Sequence, residues 1–322
     1  MAMNADRADE ILAGVIMLAI SVIGNVVNIS VIVMIYRTPS FHNAFGLICA
    51  SHLIADVGVL LVFSFWAAPA ALLGFPGTII HSNFGARMGQ LAILLWYAST
   101  YGHIQIALNR LLAIKYPVLY RSVFSIKRTK QILAVFWTIS ALNVVAYFWD
   151  ECNFLFELDL LTWVYAQTEC GHIIAFYMTL LHESILCATV ILIDTFAFFA
   201  IIKKAKKLKS ADEAKVLKNN VTLYLQGCVQ TATFALAVLS FFVFSKFMSR
   251  YGKWGTFYTT TFVWELAHAV DGIILIAFIE KFRVIASHPS LLWRKKIDVT
   301  DVAPVLSISR NDSNRVDLTN LN

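Results

Sequence analysis

Asn109-Arg110-Leu111-Leu112-Ala113-Ile114-Lys115-Tyr116-Pro117-Val118-Leu119-Tyr120 closes a long, moderately apolar segment that begins near Met88, and a basic run from Arg121 to Lys130 follows it. An arginine at the junction of an apolar helix and a basic loop is less costly than one at mid-bilayer, because its side chain can reach the interface. Taken alone, Arg110 reads as an interfacial anchor. The residues around it change that reading: an apolar turn, then Pro117, then Tyr120.

The rest of the 322-residue chain has the composition of a protein whose solvent is lipid: 59% hydrophobic residues, 14% charged and a mean hydropathy of +0.70. A net charge of +6 would suggest nucleic acid if the cations lined a groove of a soluble domain. They lie instead in the short gaps between apolar runs, so no nucleic-acid partner is expected. Seven runs are long enough to cross about 30 Å of hydrocarbon, placed near 11–35, 44–66, 88–114, 131–149, 172–202, 221–247 and 255–280. The gaps after the first, third and fifth runs, together with the tail, hold most of the Lys and Arg; the other side holds only Arg7, Arg87, Lys246, Arg250 and Lys253. The bias predicts an external N-terminus and a cytoplasmic C-terminus. The sequence thus predicts an all-α integral membrane protein: an external residue 1–10 segment, a seven-transmembrane bundle over 11–285, and a mostly disordered cytoplasmic tail over 286–322. The first run follows an acidic flank and is too long for a cleaved signal, so it is expected to stay as an anchor.

Polar groups inside these runs are candidate functional positions. The first run carries Asn25 and the second Asp56, with Pro69 expected to break or kink the far end of the second helix. Glu183 and Asp194 in the fifth run are eleven residues apart, which places both on one helix face about 16 Å from each other. The sixth has Gln226 and Gln230 one turn apart and no proline; the seventh has Trp264, Glu265, His268 and Asp271-Gly272. Cys152 and Cys170 fall in a loop on the external side, whereas Cys49, Cys187 and Cys228 lie within runs and read as small apolar residues. The sequons at Asn28, Asn220 and Asn311 lie in a span or on the cytoplasmic side, which predicts an unglycosylated protein.

Asn109-Arg110-Leu111 with Leu112-Ala113-Ile114, Pro117 and Tyr120 resembles the end of the third span of rhodopsin-like G-protein-coupled receptors, where Asp/Glu-Arg-Tyr precedes a Pro-x-x-Tyr turn. Gly24-Asn25, Leu53-Ile54-Ala55-Asp56 and Asp271-Gly272, with Phe282-Arg283 at the expected interval, resemble that family's other motifs. The departures are Asn109 for the acid, Leu111 for the motif Tyr, Gly272 for Pro, Leu275 for Tyr and no Cys between Asn83 and Thr100. With Asp194-Thr195, the paired glutamines and His268, they resemble the nematode serpentine chemoreceptors, class X. The resemblance implies a chemosensory receptor in the plasma membrane, in cilia of chemosensory neurons, for a small external ligand and a heterotrimeric G protein. It implies a coupling switch of Asn109, Arg110, Leu111, Pro117, Tyr120 and Asp194. It also implies a mid-bundle cluster of Asn25, Asp56 and Asp271 that holds water or a structural sodium ion near Asp56. The ligand cavity is expected among Trp96, Tyr97, Glu183, Trp264, Glu265 and His268. With no Cys on the third span, a bridge between Cys152 and Cys170 is the simplest pairing. Asp194 is the expected partner of Arg110, since both lie at similar depths from their helix ends.

Other classes fit less well. An opsin needs a lysine in the seventh span, and none occurs from Trp254 to Glu280. A secondary transporter or proton-coupled carrier could use Asp56, Glu183, Asp194, Glu265 and Asp271 as a relay, but the chain has no inverted internal repeat. No His, Asp or Glu run has a zinc-site spacing and no Ser sits in a nucleophile elbow, so neither a metal nor an enzyme is expected.

Overall fold

The computed structural model describes residues 5–206 and 210–293. The tail from residue 294, where disorder is expected, lies outside the described residues. The chain folds into helices α1 (Ala5–Arg37), α2 (Ala44–Leu73), α3 (Asn83–Lys115), α4 (Ile126–Asn143), α5 (Glu169–Ala205), α6 (Ala211–Leu239), α7 (Lys253–Phe278) and α8 (Glu280–Ser287). Helix α6 continues through a π turn, Ser240–Phe244, to Met248. Six of these are long and apolar enough to cross a membrane among the described residues: all but α4 and α8. Helix α3 is the least apolar of the six and the most enclosed, with 78% of its most apolar stretch buried in the bundle. It packs against α2, α4, α5 and α6.

Helix α4 differs from the expected 131–149. It starts five residues earlier, where Ser125 caps it by accepting from the Arg128 N–H, and gives way after Asn143 to a 3-10 turn, Val145–Phe148. Side chains of α3 take the carbonyls released there: Gln90 donates to Val144 O and Arg87 to Tyr147 O. Pro69 does not break α2. A π turn over Phe63–Ala67 precedes it, with the Ala68 N–H reaching back to Phe63 O, and the helix runs on to Leu73. Widening the turn makes room for the pyrrolidine ring, and Gly74, at φ 64°, then ends the helix in the left-handed conformation. Similar π turns occur at Ile174–Leu181 in α5, at Ser240–Phe244 in α6 and at Tyr258–Phe262 in α7.

Between α4 and α5 lies an antiparallel hairpin, β1 (Phe154–Glu157) and β2 (Thr162–Tyr165), with Phe154 opposite Tyr165. It plugs one end of the bundle. Phe154, Phe156, Leu161 and Trp163 are buried, and Trp163 meets Phe63 of α2 and Trp264 of α7. Thr260 and Thr261 of α7 hydrogen-bond to Thr162 Oγ1 and Leu161 O. Gly89 of α3 admits the strand: a Cβ there would lie 1.7 Å from Phe154 O. A Cys152–Cys170 disulfide ties the base of the hairpin to the first turn of α5. At the other end, here called the basic end, α8 lays Phe282 and Ile285 against the bundle, with Phe282 on Phe41.

Candidate functional site

Two polar constellations occupy the interior below the hairpin. The one nearer the basic end centres on Arg110, only 5% exposed. Its Nη2 donates to Asp194 Oδ1 of α5 at 2.9 Å and its Nη1 to Leu223 O of α6 at 3.4 Å, while Thr231 of α6 donates to Asp194 Oδ2 at 2.7 Å. The guanidinium lies across Gly227, where a Cβ would fall 0.7 Å from Nη1. Three helices are thus fastened at one point, and neither Gly227 nor Thr231 was marked by the sequence. Asn109 is fully buried, with no hydrogen bond from either side-chain atom among the described residues. Leu111 packs with Ile114, Ala197, Ile201 and Leu217. Pro117 opens a short helix, Pro117–Val123, and Tyr120 within it packs on Phe124.

The second constellation sits at mid-bundle. Asp56 Oδ1 accepts from Ser99 Oγ at 2.7 Å and lies 2.7 Å from His268 Nδ1. Asp271 Oδ1 accepts from Gln230, which itself accepts from Gln226. Between the two carboxylates stands His52, its Nε2 3.2 Å from Asp271 Oδ2 and 3.5 Å from Asp56 Oδ2. Asn25 does not join them, and its Oδ1 has no partner among the described residues. Asn28, three residues on, makes the link: it accepts from Gly272 N and donates to His268 O, both at 3.0 Å. Glycine in place of the family's proline keeps the N–H that Asn28 needs and leaves room for it, since a Cβ at 272 would lie 2.4 Å from Asn28 Oδ1. The donor set also departs from a sodium site. An imidazole stands between the carboxylates, where a hard cation would want oxygen.

The residues expected to line a ligand cavity are only partly brought together. A cavity of about 30 Å³ lies beneath the hairpin, lined by Ile93, Trp96, Phe154, Tyr165, Thr179, Val238, Phe241, Phe242 and Trp264. Trp96 and Trp264 are there, edge to face at 5.9 Å. His268 lines a smaller cavity deeper in the bundle, with Trp96, His103 and Asp271. Tyr97, Glu183 and Glu265 are not on the wall. Tyr97 is buried and donates to Met178 O, Glu183 packs beside His182, and Glu265 turns to Ser21 of α1. Their helix faces point to neighbouring helices, which a single-helix reading cannot resolve. Phe154 and Tyr165 come from the hairpin, and Phe241 and Phe242 from the π turn of α6.

A family model described as "Serpentine type 7TM GPCR chemoreceptor Srx" matches residues 18–278. The chain belongs to that family. It is 24% identical to the Caenorhabditis elegans protein "Serpentine receptor class X 45" over 86% of this chain and 81% of the relative, and 21% identical to "Serpentine receptor class X-43" over 86% of each. Squid rhodopsin has the same fold, with a TM-score of 0.67 at 18% identity over 91% of this chain and 84% of that structure. The receptor is therefore a multi-pass seven-transmembrane chemoreceptor of the G-protein-coupled type, and none of these relatives favours a carrier.

Proposed function

We propose that this receptor sits in the plasma membrane of sensory cilia with the hairpin end outside, and binds a small, uncharged, largely apolar ligand beneath the hairpin. It passes the signal to a heterotrimeric G protein at the basic end. At about 30 Å³ the cavity holds no more than about three waters and has to widen to seat a ligand, but its lining supports the ligand class. It is almost wholly aromatic or aliphatic, carries no charge, and offers polarity only from Tyr165 and Thr179, whose hydroxyls already bond each other at 2.6 Å. Lys115, Arg121, Lys127, Arg128, Lys203 and Lys204 crowd the opposite end, which supports the orientation.

The single observation that carries the switch reading is the fastening of α3, α5 and α6 by Arg110, Asp194 and Leu223 O. In this resting arrangement the arginine is held inside the bundle. A ligand that binds better when α5 and α6 have moved apart at the basic end shifts the equilibrium by that difference in affinity and no more. The test is expression in a reporter cell with a promiscuous G protein, challenged with mixtures of neutral volatile compounds and, separately, of amines and carboxylic acids. Responses confined to charged compounds would reject the ligand class. A gel-mobility shift on glycosidase treatment would reject the orientation.

A further inference from the structure

The mid-bundle histidines place a demand on their surroundings that proton counting makes explicit. His52 Nδ1 lies 3.1 Å from the carbonyl of Ser99 and 3.4 Å from Ser99 Oγ, whose proton is already given to Asp56. Both neighbours can only accept, so Nδ1 carries the hydrogen. Gly102 makes this approach possible, since a Cβ there would lie 2.4 Å from Nδ1. Nε2 then faces the Asp271 and Asp56 carboxylates, and a bare lone pair would be repelled by both. Asp56 Oδ2 has no hydrogen bond, although the residue is fully buried.

His268 does not supply the missing positive charge. Trp264 Nε1 can only donate, so His268 Nε2 accepts from it, and the imidazole is neutral with its proton on Nδ1 toward Asp56. Arg110, the buried guanidinium toward the basic end, is bound to Asp194. Two interior carboxylates therefore share one vacant lone pair and no fixed cation. A proton on His52 would balance one negative charge; a divalent ion balances both.

We propose that His52, His103 and Asp271, with Asp56 Oδ2 as a fourth donor, form a binding site for a zinc-type divalent transition-metal ion. Ligands about 2.1 Å from such an ion in a tetrahedron stand about 3.4 Å apart. The two contacts of His52 Nε2 with the carboxylates, 3.2 and 3.5 Å, bracket that value. A His103 nitrogen lies within 4.8 Å of the other two ligand atoms, so a swing of at most about 1.4 Å closes the set. His103 has no hydrogen bond to hold it back among the described residues, and it stacks on Phe234 at 4.9 Å. The outer partners are those that metal sites use: a backbone carbonyl behind His52 and an amide, Gln230, on the second oxygen of Asp271. A cavity of about 10 Å³ beside His103 and Asp271 has room for about one exchangeable water. Bound there, the ion joins α2, α3 and α7 directly under Trp96.

The test uses the full-length receptor, purified without an oligohistidine tag, stripped with chelator in lipid nanodiscs and titrated with Zn²⁺ or Co²⁺ alone. One ion per receptor is expected, with the intense visible bands of tetrahedral cobalt and a raised unfolding temperature. His103→Phe keeps a ring on Phe234 and is expected to weaken binding at least 10-fold; His81→Ala, which removes an exposed histidine near Glu157, leaves it unchanged. No bound ion in the wild type overturns the proposal, as does unaltered affinity in a folded His103→Phe. Nitrogen NMR offers an independent decision: both His52 nitrogens protonated in the presence of Zn²⁺ would assign the positive charge to the imidazolium instead.

Discussion

Gly227→Ala is the smallest change that opens the Arg110 fastening without altering any charge. The added methyl carbon would lie 0.7 Å from Arg110 Nη1, 1.7 Å from Cζ and 2.3 Å from Nη2, so the guanidinium has to leave its place. Leaving forfeits the contact with Asp194 at 2.9 Å and the weaker one with Leu223 O at 3.4 Å. A hydrogen bond between charged groups contributes about 1.5–3 kcal/mol, and a loss of about 2 kcal/mol is a factor of about 30. For a receptor with about 1% of its population active at rest, that factor raises the active share to about a quarter. The helix itself gains, because alanine is favoured over glycine by about 1 kcal/mol in a helix interior, so the variant keeps its fold. The assay is ligand-free second-messenger output per receptor at the cell surface, which needs no knowledge of the agonist. Output equal to or below wild type, at equal surface density, would refute the view that Arg110 restrains the bundle.

Asp194→Asn attacks the same point from α5 and is expected to raise ligand-free output, while the swap Asp194→Arg with Arg110→Asp is expected to restore part of the surface expression that Arg110→Asp alone loses; a swap no better than the single change counts against the pair. Asn28→Ala removes both contacts to the 268–272 turn and is expected to lower stability in detergent by about 1–2 kcal/mol. Asn25→Ala, deleting an amide whose oxygen is unpaired, is expected to be neutral, and thermal unfolding compares the two. Mass spectrometry of a non-reduced digest should recover Cys152 and Cys170 in one linked species, and replacing both by serine should cost about 3 kcal/mol for a separation of 18 residues.

The helices were legible because lipid leaves so few ways to bury a backbone, and the depth of Arg110 and Asp194 could be counted from their helix ends. Asn25 and Asn28 show where counting stops. Both are amides on one helix three residues apart, and only the packing of α7 decides which is used. His52, His103 and Asp271 are separated by 51 and 168 residues along the chain, so no spacing rule could group them. The π turns leave no mark in composition, yet the one in α6 delivers Phe241 and Phe242 to the cavity. The hairpin did leave a mark. Phe154 to Glu157 and Thr162 to Tyr165 are short runs rich in aromatic and β-branched residues, the composition of a strand. Reading the whole segment as loop missed half of the cavity roof.

Its disulfide ends on α5 and not on α3, so the hairpin, which also rests on α3 and α7, is joined covalently to the helix whose other end holds the carboxylate gripping Arg110. Cys170 and Asp194 stand 24 residues apart on that helix, about 36 Å of its length. Between them lies the π stretch Ile174–Leu181, a wider turn than the α-helix on either side of it. The length and twist of that stretch set how the hairpin end and the Arg110 contact are oriented about one helix axis. Substitutions at residues 174–181 should therefore change ligand-free output and apparent ligand affinity together, since both report one equilibrium between states.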